Sequence, residues 1–256
     1  MARIMIVFLI GLAWLHPVRA ADDFVSIFNG NDLAGWEGDP KHWSVKDGAI
    51  TGVIKEPIKI NSFVIWKDGD KDGELENFEL RLKVRITGNN SGLNYRSKRV
   101  PELGPYGVGR YQADLDVKSD YTGQLYEERG RQILAMRGQK VIVDPSGGKR
   151  IVGSLGDPKE LLGTVDYSQW NDYGVIAKGN HLIHSFNGAT VVDVIDHQAD
   201  KRALKGILAF QVHVGPAMEV QFKDIQIKHL PSGGILTSEE APIPPGSPKL
   251  KTIFDK

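Results

Sequence analysis

The residues best suited to chemistry cluster in the stretch 107–129, which reads GVGRYQADLDVKSDYTGQLYEER. A β-strand sends successive side chains to opposite faces. With Tyr111, Ala113 and Leu115 turned toward a core, Gln112 and Asp114 stand together on the other face. Gln124, Tyr126 and the run Glu127-Glu128-Arg129 follow after a short turn. Ordinary solvent-facing strands carry Lys, Glu and Thr. An amide, a carboxylate, a phenol ring and a guanidinium together suit a polyhydroxylated ligand, because hydroxyls pair with planar polar groups and a sugar's C–H face packs on a ring. The plainer reading is a wet sheet face with an ion-paired turn.

Other strands extend the same face. Asn90, Asn94 and Arg96 share a parity opposed to Leu93 and Tyr95. Gln211 and His213 oppose Leu208, Phe210 and Val212. Four strands thus set Asn94/Arg96, Gln112/Asp114, Gln124/Tyr126/Glu128 and Gln211/His213 opposite their apolar neighbours, and on a concave sheet they converge. Histidine titrates near neutral pH, so His213 is a candidate base beside Asp114, although a partly buried histidine with a satisfied hydrogen bond reads the same way in sequence. Arg96 reads equally as a plain salt-bridging arginine.

The elements that must position these groups are short and numerous. Phe78, Leu80, Leu82, Val84 and Ile86 alternate with Glu79, Arg81, Lys83 and Arg85, the pattern of a half-buried antiparallel strand. Asp47-Gly48 and Asn187-Gly188 are hairpin signals. The chain has 29 Gly and 13 Pro, no 20–50-residue repeat and no long helical period. About a dozen strands divided by turns predict an all-β sandwich or jelly roll over residues 21–230. Residues 144–163 read as a loop with a short helix near Pro158–Leu161, and 231–256 as a loose Pro/Gly-rich tail.

The start is a separate object. A basic Met1-Ala2-Arg3, an apolar run from Ile4 to Leu15, and Val18-Arg19-Ala20 before Ala21 read as a cleavable secretory signal over residues 1–20, giving a secreted or periplasmic protein with no membrane insertion after cleavage. The absence of cysteine excludes a disulfide framework and a thiol nucleophile. Lys plus Arg equals Asp plus Glu at 32 each, and no basic stripe indicates a nucleic-acid partner.

Taken in order, several segments resemble one family. Phe28-Asn29-Gly30-Asn31-Asp32-Leu33-Ala34-Gly35-Trp36, then Asn77-Phe78-Glu79-Leu80 with Asn90-Ser91-Gly92-Leu93-Asn94-Tyr95-Arg96, are similar to segments of the 3-keto-disaccharide hydrolase domain family. So are Tyr111-Gln112-Ala113-Asp114, Gly123-Gln124-Leu125-Tyr126, Trp170-Asn171 with Asn187-Gly188, Gly206 to His213 and Val220 to Leu230. The resemblance runs from about Phe24 to Leu230. It implies a concanavalin A-like jelly roll of two antiparallel sheets, a glycoside substrate oxidised to a ketone at C3, and, in some members, a divalent metal. Such a ketone makes the C2 proton acidic, so a base can remove it and the C1 substituent can leave, with water re-adding in a hydrolase. Under that chemistry Asp114 or His213 is the base, Glu127 or Glu128 the acid, and Arg96 the partner of the enolate oxygen. Asn90, Asn94, Gln112, Gln124, Tyr126 and Gln211 would hold the sugar. Many members carry Glu where this chain has Arg110; if that Glu is the base in those members, this chain uses another base or has lost the activity.

Competing readings are a non-catalytic carbohydrate-binding module on the same face and a scaffold whose sheet binds protein. Asp68-Gly69-Asp70-Lys71-Asp72-Gly73 with Glu79 fits the string of a calcium loop, but the flanking segments read as strands rather than helices. The carboxylate spacing E-x-D-x-x-E of a two-carboxylate glycosidase does not occur.

Overall fold

The structure is a computed structural model and describes residues 23–254; the expected signal over residues 1–20 lies outside the described residues. The strands are β1 (Val25–Ser26), β2 (Trp36–Gly38), β3 (Trp43–Lys46), β4 (Ala49–Ile54), β5 (Ser62–Asp68), β6 (Lys71–Asp72), β7 (Glu74–Leu75), β8 (Phe78–Thr87), β9 (Asn90–Arg99) and β10 (Val108–Asp116). There follow β11 (Leu125–Glu128), β12 (Gln132–Ala135), β13 (Gln139–Val143), β14 (Lys149–Ser154), β15 (Asn171–Lys178), β16 (His181–Phe186), β17 (Ala189–Asp196), β18 (Gly206–Val212) and β19 (Met218–His229).

They form two stacked sheets. The ten-stranded sheet runs β14-β13-β17-β16-β15-β8-β19-β4-β3 with β1 added on β19, and the nine-stranded sheet runs β12-β11-β10-β9-β18-β5-β2 with β6 on β5 and β7 on β18. Among these pairings only β13 with β17 is parallel. The expected jelly-roll sandwich is the observed fold. The alternation read in the sequence does the sorting: Leu80, Leu82 and Val84 of β8 and Leu93, Ala113 and Leu115 of the facing sheet are buried in one core. Phe210 of β18 stacks on Phe222 of β19 across the two sheets, with ring centroids 4.3 Å apart. Burying such a ring contributes roughly 1.5–3 kcal/mol.

One break in the alternation matters for the site. Gln112 of β10 pairs with Asn94 but Gly109 with Lys98, so β9 holds one residue more than its partner between those points. The excess residue is a β-bulge. Arg96 sits in it with φ of 46°. Its parity is therefore lost, and the side chain turns into the protein. There the guanidinium donates to the carbonyls of Glu76, Gly179 and Ala203 and to Asn77 Oδ1, at 2.6 to 3.2 Å. Gly179 lies in the β15–β16 turn, so Arg96 ties the two sheets together. A second tie runs from Glu127 of β11 through Arg131 to Asp196 of β17, with Arg131 Nη2 2.7 Å from Asp196 Oδ2. The hydroxyl of Tyr111 donates to the same Asp196 oxygen over 2.6 Å.

The acidic string 68–73 is a hairpin of β5 and β6, flanked by strands as the sequence reading expected, with Asp72 engaged by Lys67 and Arg99 and Glu79 paired with Arg81. Two sequence expectations are corrected. The expected loop 144–163 contains β14, and no α-helix occurs among the described residues. The tail beyond Pro231 is strapped down rather than loose. Asn77 Nδ2 donates to the carbonyls of Pro231 and Gly233, Asn180 exchanges bonds with the backbone of Leu236, and His197 meets the carbonyl of Ala241.

Replacing Arg96 by alanine removes a cation that four buried acceptors share. The expected loss is about 3 kcal/mol of unfolding free energy, read from urea denaturation, and Arg96→Lys recovers little because an ammonium cannot reach four separate acceptors.

Candidate functional site

The candidate site is a hydrogen-bonded network on the outer face of the nine-stranded sheet. β10 sets Gln112 and Asp114 two residues apart on that face, and Gln112 Nε2 donates to Asp114 Oδ1 over 2.5 Å. Gln124, just before β11, donates its Nε2 to the other carboxylate oxygen. A carboxylate only accepts, so it fixes the direction of every amide beyond it. Gln112 Oε1 is left to accept from Asn94 Nδ2 of β9 at 2.8 Å and from Gln211 Nε2 of β18 at 3.2 Å. The outermost amide oxygens, Asn94 Oδ1, Gln124 Oε1 and Gln211 Oε1, are buried with no hydrogen-bond partner among the described residues. The network therefore has more acceptors than donors.

Gly92 makes this packing possible. A Cβ built there falls 2.5 Å from the side chain of Gln112, so any other residue displaces the amide that holds Asp114. From the core side, the hydroxyl of Tyr173 donates to the main-chain carbonyl of Asp114 over 2.7 Å.

Burial dominates the electrostatics. Asp114 is 5% exposed, and desolvation drives its carboxyl from 3.8 to about 7. The amide bonds from Gln124 and Gln112 oppose the rise, and the nearby charges of Glu128 and Asp116 add to it. Desolvation also raises Glu128, against a lowering by Arg129. Tyr126 is raised by burial and then by the carboxylates of Glu128 and Asp114, so it keeps its proton. His213 Nδ1 lies 2.6 Å from the carbonyl of Val214. A carbonyl only accepts, so Nδ1 carries the proton and Nε2 is the basic atom.

These groups border a cleft of about 420 Å³. Of the residues singled out in the sequence, Asn90, Gln112, Asp114, Gln124, Tyr126, Glu128 and His213 line it. Asn94 and Gln211 are buried behind it and act through Gln112. A larger depression of about 550 Å³ on the outer face of the other sheet is walled by paired surface charges such as Lys83 with Asp172 and Arg81 with Glu79.

Two expected site residues are not on this face. Arg96 is withdrawn by its bulge and is no enolate partner. Glu127 shares the parity of Leu125; it is 2% exposed and closed by Arg131, so it is no acid for the cleft. Arg110 also turns away, donating to the carbonyl of Lys201 and standing 3.7 Å from Glu127. Lys118, Tyr121 and Asn89 line the cleft without having been picked out. The only signal for the first two was their place in the turn between β10 and β11. The donor set does not fit a divalent metal: no three His, Asp or Glu side chains converge among the described residues, and both oxygens of Asp114 already accept amide hydrogens.

The raised carboxyl has a consequence for stability. Folding moves Asp114 from 3.8 up to about 7, so the fold favours its protonated form. The stabilising contribution is complete below pH 3.8 and is lost as pH rises through about 7. Asp114→Asn removes that dependence, and Gln124 can turn its free oxygen to the new amide. The melting temperature of the variant should gain on that of the parent protein between pH 4 and pH 8; a constant difference would show that Asp114 has an ordinary pKa.

The sequence profile of the 3-keto-alpha-glucoside-1,2-lyase-like domain matches residues 23–228. A protein of Bacteroides thetaiotaomicron named 3-keto-disaccharide hydrolase is 30% identical over 93 residues, a segment covering 31% of this chain and 29% of that protein. Two putative glycosyl hydrolases of Parabacteroides distasonis with solved structures share the fold. One has a TM-score of 0.53 at 18% identity, over 81% of this chain and 99% of that one. The other has a TM-score of 0.52 at 20% identity, over 81% and 94%. With the profile spanning most of the chain, the protein belongs to the 3-keto-alpha-glucoside-1,2-lyase-like domain family.

Proposed function

We propose that this protein cleaves glycosides that carry a ketone at C3, by abstraction of the C2 proton. One observation carries the reading: a buried carboxyl, Asp114, borders an open cleft, is held by two amide donors, and titrates near neutral pH. A general base works best when its pKa lies close to the working pH. Family membership and the name of the Bacteroides relative support the substrate class.

The ionised Asp114 takes the proton from C2, and the electron pair passes into the C3 carbonyl to give an enolate. Tyr126, which keeps its phenolic proton, is the donor available to the enolate oxygen. Collapse of the enolate forms the C1–C2 double bond and breaks the bond from C1 to the leaving oxygen. Glu128, also raised by burial, returns a proton to that oxygen. Addition of water across the new double bond completes hydrolysis. Asn90, Tyr126 and Glu128 on the cleft wall offer the polar groups that pair with sugar hydroxyls. The signal-like start read in the sequence would make this a secreted or periplasmic enzyme.

The test incubates residues 21–256 with a 3-keto-glucoside and with its unoxidised parent sugar. Release of the aglycone is expected from the ketone alone, with a rate that rises as Asp114 ionises through about pH 7. Asp114→Asn should lower the rate by about 10²-fold or more. Equal release from the unoxidised glycoside, or an unaffected Asp114→Asn variant, would overturn the mechanism. A rise in melting temperature with sugar but no turnover would leave a binding module.

A further inference from the structure

The C-terminal segment lies beyond the region matched by the family profile, yet it reaches the cleft. It crosses the edge of the ten-stranded sheet at β14, where Ile151 N donates to the carbonyl of Pro248 and Leu250 N to that of Lys149, both at 2.9 Å. Leu250 is buried there. Lys149 in turn sends its Nζ to the carbonyls of Arg131 and Ile133, joining this edge to β12 of the other sheet. The chain is thus anchored at the β12 end of the cleft, and it then presents Ile253 and Phe254 to the cleft wall next to Ile133.

Both side chains are exposed, Ile253 by 72% and Phe254 by 43%. The other exposed large hydrophobic residues described, Val25, Ile60 and Ile235, are scattered singly. Isolated apolar residues on a surface are ordinary, whereas a neighbouring pair on a cleft wall marks a contact site. The rest of the cleft is mostly amides and carboxyls. A phenyl ring has no polar handle and offers only a flat apolar surface, which fits the C–H face of a sugar ring or an aryl group.

Sheet order fixes which part of the ligand meets that ring. Reading inward from the tail, the cleft passes β12, then β11 with Tyr126 and Glu128, then β10 with Asp114, and last Asn90 of β9 and His213 just after β18. The reacting sugar belongs over Asp114, and Glu128 lies between it and the tail. We infer that Phe254, flanked by Ile253, forms the subsite for the leaving group of the glycoside, selecting ligands whose aglycone is a second sugar or an aromatic ring over those with a small alkyl aglycone. This rests on the glycoside reading above.

The test compares a 3-keto-disaccharide, a 3-keto-aryl glucoside and 3-keto-methyl glucoside on the full chain and on Phe254→Ala, Phe254→Trp and Ile235→Ala. In Phe254→Ala the ratio of the disaccharide KM to the methyl glucoside KM should rise about tenfold, the loss of one ring-stacking contact. Phe254→Trp should restore it, and Ile235→Ala, on the same tail but away from the cleft, should change neither KM. A ratio unchanged in Phe254→Ala, or a rise that is equal for all three glycosides, overturns the subsite. Calorimetric binding of the unoxidised disaccharide separates the two ideas. If nothing is turned over but Phe254→Ala still weakens disaccharide binding about tenfold relative to methyl glucoside, the subsite stands and the catalytic reading fails. A parent protein that neither turns over the keto-glycosides nor binds the unoxidised disaccharide removes both.

Discussion

Burying the carboxyl of Asp114 is the constraint on which the site depends. A charge in an apolar setting is costly unless hydrogen bonds answer it. Here the answer comes from amides alone, Gln112 from the same strand and Gln124 from the next. Each amide must itself be held, which is why Asn94 and Gln211 are present, and why Gly92 leaves room for Gln112. The same backbone is pinned from below by Tyr173, a core residue of the opposite sheet. Core packing and site geometry are therefore two faces of one strand.

The buried carboxylates divide into two kinds. Glu127 and Asp196 share the Arg131 guanidinium and serve to tie the two sheets together. Among the described residues Asp114 has no cationic partner, and Glu128 has only the exposed Arg129 at 3.7 Å. Without a close cation, desolvation prevails and the proton affinity rises to where a base can turn over. The neutral His184 shows the same desolvation acting on a cation. Its Nδ1 donates to the carbonyl of Gly123, its Nε2 accepts from the Tyr95 hydroxyl, and burial pushes its pKa down to about 4. It supports the turn before Gln124 and does not titrate with the cleft.

The parity of side chains made much of this legible. Gln112, Asp114, Tyr126, Glu128, Gln211 and His213 share the outer face because period-two alternation is a local property, and a core on one side enforces it. Alternation failed at Arg96, because a bulge inserts a residue whose position depends on the register of two neighbouring strands, which a single strand's sequence does not display. Glu127 was separable from Glu128 by parity alone, but the charged run concealed which of the two belonged to the cleft. The tail was illegible for another reason: Asn77, Asn180 and His197 hold it through backbone carbonyls far away in sequence, and composition records none of those bonds.

The most direct test follows deuterium rather than product. A 3-keto sugar without a leaving group at C1, incubated with the protein in D₂O, cannot be cleaved but can exchange its C2 proton. With Asp114 as the base, NMR should show protein-dependent exchange at C2 that rises through about pH 7 and vanishes in Asp114→Asn. Release of aglycone from a cleavable 3-keto-glucoside by a protein that leaves C2 unexchanged at every pH would contradict proton abstraction by Asp114.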